Sequence, residues 1–322
     1  MHPPLPVTVI TGFLGSGKTT LINRILAGRA DEKIAVIENE FGAASIDHAL
    51  LAREAEVVEL NDGCVCCSVR GDLIRILGEF SQRIDAGTLH LDRVLIETTG
   101  LADPAPVIQT FFADPAIHAR FRLDALVTVV DAEHAMRQLD AHAAAREQVA
   151  YADLLLVGKR DRAAPAHFAE LVRRLIRLNP RAATYSMTHS DVPLQKILGI
   201  GAFNLSSLLE LEPGFLDDSH AHHHDDIHAL VYRSERAFDE SRLEDFMARL
   251  IARHHEKLLR YKGVLHLAGE PQMTALQGVH MTVYGDRVRP WPAGMTPAST
   301  LVFIGRDLPE ADIRAGLDAC LT

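Results

Sequence analysis

The chain has 322 residues, 48% of them hydrophobic and 24% charged, the balance of a folded protein of two domains and not of a disordered one. Its 33 Lys and Arg against 43 Asp and Glu leave a formal charge of −10, and with no long basic run this excludes nonspecific binding to nucleic acid as the main task. The longest apolar runs, such as 125–130 and 154–157, fall far short of the roughly 20 residues that span a bilayer, and the first residues, Met-His-Pro-Pro, carry no charged and apolar leader. A cytoplasmic protein without a membrane or nucleic-acid partner is expected.

Residues 1–199 alternate short aliphatic runs with longer amphipathic stretches. Strands are predicted at 7–11, 34–38, 57–60, 93–97, 126–131, 154–157 and 184–186, and helices at 18–27, 72–83, 106–112, 143–151 and 165–178. Apolar strands separated by helices predict an α/β domain whose mostly parallel sheet is flanked by helices on both faces. Residues 200–226 read as an exposed linker, punctuated by Gly201, Pro213 and Gly214 and closed by a histidine-rich tract. From 227 to 322 follows a smaller α+β domain: strands at 227–232, 263–267, 273–278, 279–284 and 300–304, a helix at 240–255 and a last one at 309–319.

The first strand runs into Gly12-Phe-Leu-Gly-Ser-Gly-Lys-Thr19, which fits the phosphate-loop pattern G-x-x-x-x-G-K-[ST] between a strand and a helix. Gly12, Gly15 and Gly17 let the backbone curl until successive N–H groups point at phosphate oxygens, and the helix N-terminus adds its dipole. Ser16 and Thr20 complete the loop, Lys18 brings a point charge to the β- and γ-phosphates, and the Thr19 hydroxyl is a ligand for Mg²⁺. The strand at 93–97 ends in Glu97, a carboxylate placed to hold Mg²⁺ directly or through water, and Gly100 brings a backbone N–H to the γ-phosphate. Lys18 and Glu97 are the expected catalytic residues.

Base choice is written in Gly158-Lys-Arg-Asp161, close to the guanine signature of Asn or Thr, Lys, any residue and Asp. A buried Asp161 would accept two hydrogen bonds from guanine and be left unsatisfied by adenine, so GTP is expected over ATP, with the Lys159 stem along the base. Gly158 removes the side chain that usually ties this loop to the phosphate loop.

Cys64, Cys66 and Cys67 fall within four residues, spacing that suits a trigonal set of soft metal ligands. A redox role through a Cys64–Cys67 disulfide would leave Cys66 over, and structural thiols are the other alternative. Cys320 stands alone and reads as an ordinary buried or surface thiol. His220, His222, His223, His224 and His228 offer imidazoles for a loose metal-collecting tract or form an inert solvated linker.

Taken in order, GFLGSGKTT at 12–20, ENEFG at 38–42, GCVCC at 63–67, ETTGLADP at 97–104 and the guanine loop resemble the CobW family of P-loop GTPases, most closely its YjiA-type members. The segments 258–263, 269–271 and 299–305 resemble that family's C-terminal domain, so the likeness covers nearly the whole chain. The resemblance implies a GTP-dependent metallochaperone that takes GTP, Mg²⁺ and Zn²⁺, or Co²⁺ in some branches, and serves a client metalloprotein. It implies Cys64, Cys66 and Cys67 as metal ligands with Glu38 joining them, and Glu38 and Glu40 in a switch segment. Ala43 stands where some relatives carry a further carboxylate. The expected cycle has GTP ordering the switch segments and the thiol loop, hydrolysis loosening the metal, and a possible nucleotide- or metal-dependent homodimer. A regulatory GTPase without a client is the alternative.

Overall fold

The structure, a computed structural model, describes residues 3–38, 56–59, 68–113, 115–188, 191–201, 227–291 and 295–322. The chain divides into two compact units, Met1–Ile176 with Ala182–Ala202 and Arg177–Arg181 with Phe203–Thr322. No helix among the described residues is long and apolar enough to cross a membrane.

The first unit is built on seven strands, β1 (Leu5–Thr11), β2 (Ile34–Glu38), β3 (Glu56–Glu59), β4 (Arg93–Glu97), β5 (Phe121–Asp131), β6 (Leu154–Gly158) and β7 (Ala183–Ser186). They lie in the order β3-β2-β4-β1-β5-β6-β7, and every pairing is parallel. Strands β2, β4 and β6 are buried at every position, as near-continuous aliphatic runs demand when both sheet faces are covered. The helices are α1 (Lys18–Gly28), α2 (Ser68–Asp85), α3 (Ala105–Ala113), α4 (Pro115–Arg120), α5 (Ala135–Ala141), α6 (Ala143–Tyr151) and α7 (Pro165–Leu178). On α1, Leu21, Ile22 and Ile25 share one face, and they close over Ile10, Val36, Leu95, Val127 and Leu156 of the sheet.

A parallel sheet brings all its carboxyl ends to one edge. Thr11, Glu38, Glu59, Glu97, Asp131 and Gly158 therefore end their strands side by side, with Glu38 in register with Glu97 on one neighbour and Glu59 on the other. Ligands of open α/β sheets gather at this edge. At the opposite edge the buried Asp124 accepts hydrogen bonds from the N–H groups of Gly199 and Gly201, each at 2.7 Å, and lies 3.7 Å from Arg93.

The second unit pairs β8 (Ile227–Ser234), β9 (Leu258–Leu265), β10 (Gln272–Val279), β11 (Thr282–Pro290) and β12 (Ser299–Arg306) in the antiparallel order β11-β10-β9-β12-β8. Helix α8 (Glu240–His254) starts at Asp239, whose carboxylate caps the Arg242 N–H at 2.9 Å. Its Leu243, Met247, Leu250 and Ile251 form one stripe that meets Tyr261, Leu301 and Phe303 of the sheet and Ile313 and Leu317 of α9 (Glu310–Ala319).

The structure adds two helices to those expected, α4 and α5, and starts β9 at Leu258 and not at Gly263. Arg260 and Lys262 are the reason for the latter: both are buried within β9, where two cations hide the apolar period of a strand.

Candidate nucleotide and metal site

The phosphate loop leaves β1 at Thr11 and enters α1 at Lys18. Its three glycines all take positive φ, +140° at Gly12, +73° at Gly15 and +103° at Gly17, a region that side chains disfavour. Gly12 has a second reason to be glycine, because a Cβ there would stand 2.2 Å from the Val129 carbonyl oxygen. Gly17 caps α1 without any side-chain hydrogen bond, and no acid occupies the first turn. The first N–H groups of α1 are thus left for an anion. Ser16 Oγ is buried and makes no hydrogen bond among the described residues, an orphaned hydroxyl inside the curl of the loop.

Lys18 folds back over the loop, its ammonium donating to the Gly12 carbonyl at 3.1 Å. The Thr19 hydroxyl donates to Glu97 at 3.3 and 3.5 Å from its two carboxylate oxygens. The end of β4 is further tied to β1 by a 2.7 Å hydrogen bond between the Thr98 and Thr11 hydroxyls. Gly100 packs against the loop so closely that a Cβ would sit 2.6 Å from the Leu14 nitrogen. The buried Gln148 amide donates to the carbonyls of Gly100 and Ala102 at 3.2 and 3.1 Å and fixes the segment after β4. Gln148 carried no motif; only its place on α6 among apolar neighbours could have marked it. The donor set fits a phosphate chain with a hard divalent cation: N–H groups and an ammonium for the phosphates, a hydroxyl and a carboxylate for Mg²⁺.

The base loop follows β6. Lys159 is held in the left-handed region at φ +57°, and its ammonium donates both to the Gly15 carbonyl at 2.8 Å and to Asp131 at 2.9 Å. The loop without an Asn or Thr at 158 is therefore tied to the phosphate loop by Lys159. Asp161 sits in a single 3₁₀ turn, Arg160–Arg162, and is exposed; the expectation of a buried acid there is corrected, because the turn lies on the surface beyond the strand end. Asp131 was missed as a site residue, although it ends β5 in a carboxylate just as Glu97 ends β4. Burial pushes its carboxyl up, but Lys159, His134 and the Glu133 N–H together outweigh that and hold it below the ordinary value.

Glu38 is buried at the end of β2, one strand away from Glu97. Strand β3 ends at Glu59 and α2 begins at Ser68, so the segment with Cys64, Cys66 and Cys67 joins two ends at the carboxyl edge of the sheet; those cysteines, Glu40, Ala43 and His220–His224 lie outside the described residues. His228 is described on β8, 3.2 Å from Glu310.

A glycine-curled loop on the first strand of a parallel sheet, an uncapped helix behind it, and a Thr–Glu pair beside it define a P-loop nucleotide-binding protein. The chain belongs to the CobW family: residues 6–186 match the CobW/HypB/UreG nucleotide-binding domain and residues 227–321 the cobalamin synthesis protein CobW C-terminal domain. It is 41% identical over 314 residues to the zinc chaperone YjiA of Escherichia coli (strain K12), covering 97% of each chain. It is 31% identical over 358 residues to the zinc chaperone CobW of Pseudomonas aeruginosa, covering 98% of this chain and 92% of that one. The crystal structure of the Zn(II)-bound YjiA GTPase from E. coli matches over the full length of both chains, with a TM-score of 0.77 and 36% identity. A Zn(II)-bound triple mutant of YjiA, with one glutamate and two cysteines changed to alanine, matches equally well.

Proposed function

We propose that the protein is a GTP-hydrolysing zinc metallochaperone. The observation that carries this reading is the phosphate loop, with Lys18 on Gly12, Thr19 on Glu97 and Lys159 on Gly15, in a chain alike over its whole length to proteins named zinc chaperones.

The N–H groups of Gly15–Thr20 and the Lys18 ammonium bind the phosphates, and Lys18 stabilises the charge that develops as the terminal phosphoryl leaves. Thr19 and Glu97 are the residues that would hold Mg²⁺, which would supply charge neutralisation for the phosphates. Gly100 carries its N–H to the γ-phosphate, so loss of that phosphate leaves the segment after β4 held by Gln148 without the nucleotide contact. Lys159 and Asp161 select guanine. Cys64, Cys66, Cys67 and Glu38 take up zinc as cargo: soft thiolates suit Zn²⁺, with Co²⁺ the second choice, and β2 and β3, the strand that precedes the cysteines in sequence, end at the edge that holds Glu97. A client metalloprotein receives the metal. A nucleotide- or metal-dependent homodimer is a further part of the reading; Leu14 and Leu101, 58% and 55% exposed beside the phosphate loop, offer it apolar contact area.

The test is a Zn²⁺ competition titration against a chromophoric chelator, on reduced protein with Mg²⁺ and either a non-hydrolysable GTP analogue or GDP. Tighter binding with the analogue, lost on changing Cys64, Cys66 and Cys67 to Ser, is expected, with a ratio of roughly 5–150-fold between nucleotide states. Equal affinity in both states would leave a GTPase that happens to bind zinc.

A further inference from the structure

We infer that Asp131 is a positioning residue for guanine recognition, supplying through Lys159 the tie between base loop and phosphate loop that Gly158 cannot make. The inference rests on the guanine-nucleotide reading given above and names the residue that holds Lys159 in place for it.

Gly158 has no side chain, and the space beside it is taken: a Cβ there would meet Met187 Cε at 3.1 Å. The tie runs one residue later. Lys159 Nζ bridges Gly15 O and Asp131 Oδ2, so one ammonium joins the base loop, the phosphate loop and the end of β5. Asp131 is only 3% exposed and both its oxygens are engaged. Oδ1 accepts the Glu133 N–H at 2.9 Å, and Oδ2 takes Lys159 and His134 Nδ1, each at 2.9 Å. The turn after Asp131 also grips the base loop through its backbone, Ala132 N–H to Gly158 O at 3.0 Å, and Glu133 lies 3.8 Å from Arg162.

A lysine side chain about one-third exposed has no need of a buried partner, since water can solvate an ammonium at little cost. A non-glycine residue held at positive φ with its head group between two acceptors is a constrained residue. What the constraint fixes is the path of the Lys159 stem, the surface on which a base would lie, and the separation of that stem from the loop that takes the phosphates. Base and phosphates of one nucleotide are thereby read at a set distance. GDP and GTP share the base, so loss of Asp131 should weaken both equally and erode guanine-over-adenine selectivity, while the rate at saturating GTP stays.

The experiment measures the affinities of the full-length protein for the fluorescent N-methylanthraniloyl derivatives of GDP, GTP and ADP, together with kcat and KM for GTP, in D131N, K159M and the double variant. D131N is expected to lose about tenfold in affinity for GDP and for GTP alike, the scale of one charge-assisted hydrogen bond. KM should rise in step, kcat stay within about twofold, and the double variant bind no more weakly than K159M. Asp131 replaced by Glu, which keeps the charge but shifts it by one methylene, should lie between; if D131N fails to fold, wild-type affinities in this variant overturn the inference. Unchanged GDP affinity in D131N, losses that multiply in the double variant, or a fall in kcat alone also overturn it. If the unsubstituted chain binds no guanine nucleotide, the guanine reading itself falls and takes the inference with it.

Discussion

The Thr19 hydroxyl lies 3.3 Å from Glu97 Oε1, joining the start of α1 to the end of β4 across 78 positions of sequence. Hydroxyl and carboxylate are hard oxygen donors on two different elements, and they meet only because β1 and β4 are parallel neighbours with Ile10 opposite Glu97.

Replacing Thr19 with Val removes one hard donor and replacing Glu97 with Gln removes the charge of the other, each with little change of volume. Each is expected to cut phosphate release from GTP roughly a hundredfold and to raise the Mg²⁺ concentration for half-maximal rate. Because the two groups act as a unit, the double variant should be little worse than either single one. A Mg²⁺ titration of GTP turnover checks this, and an unshifted Mg²⁺ profile in both variants would remove the pair from the mechanism.

Gly12→Ala forces a methyl to within 2.2 Å of the Val129 carbonyl oxygen, a backbone atom fixed in the sheet, at φ +140°. The loop must deform, so nucleotide-induced thermal stabilisation should vanish and the first unit should lose about 1–3 kcal/mol. Gly15→Ala meets no atom within 4 Å and bears only the φ +73° penalty, so its loss should be smaller, of order 1–2 kcal/mol. Urea unfolding should follow far-UV circular dichroism, since the single tryptophan, Trp291, packs on Val264, Met273 and Ala275 and reports the second unit. A native nucleotide response in Gly12→Ala would show that the loop can move Val129 aside.

The strands of the first unit were legible because parallel strands buried on both faces must be unbroken aliphatic runs; 34–38 and 93–97 are predicted to the residue. The phosphate loop was legible because each residue type answers a local geometric demand. Asp131 and Gln148 were not, since a carboxylate or amide on a buried element acquires its meaning only from partners 28 and 48 positions away in sequence. β9 was shortened by the same blindness: Arg260 and Lys262 look like surface residues until the strand on each side of them is known.

Asp124 is wholly buried and holds two backbone N–H groups, at Gly199 and Gly201, with Arg93 alongside. Asp124→Ala leaves the N–H groups of Gly199 and Gly201 without their carboxylate acceptor and Arg93 with Glu32 as its acidic neighbour. The cost should be about 1–3 kcal/mol of stability of the first unit, and the amides of Gly199 and Gly201 should lose protection from hydrogen exchange. Protected amides at 199 and 201 in the variant would show that the anchor lies elsewhere.

The acid sensitivity of the Asp131–Lys159 tie has a definite sign. Burial raises the Asp131 carboxyl, the Lys159, His134 and Glu133 N–H bonds lower it by more, and the net is a native pKa below the ordinary 3.8. Between those two values the unfolded chain binds a proton that the native one does not. The carboxylate therefore contributes stability that is fully present above the ordinary value and is lost as pH falls through 3.8 toward the native one. The stability difference between the unsubstituted protein and D131N should accordingly stay constant from neutral pH down to about 5 and shrink below that. Urea midpoints by circular dichroism at a series of acid pH values measure it. A difference that grows on acidification would mean that the carboxyl is protonated in the native state, and Lys159 would then be held by Gly15 alone.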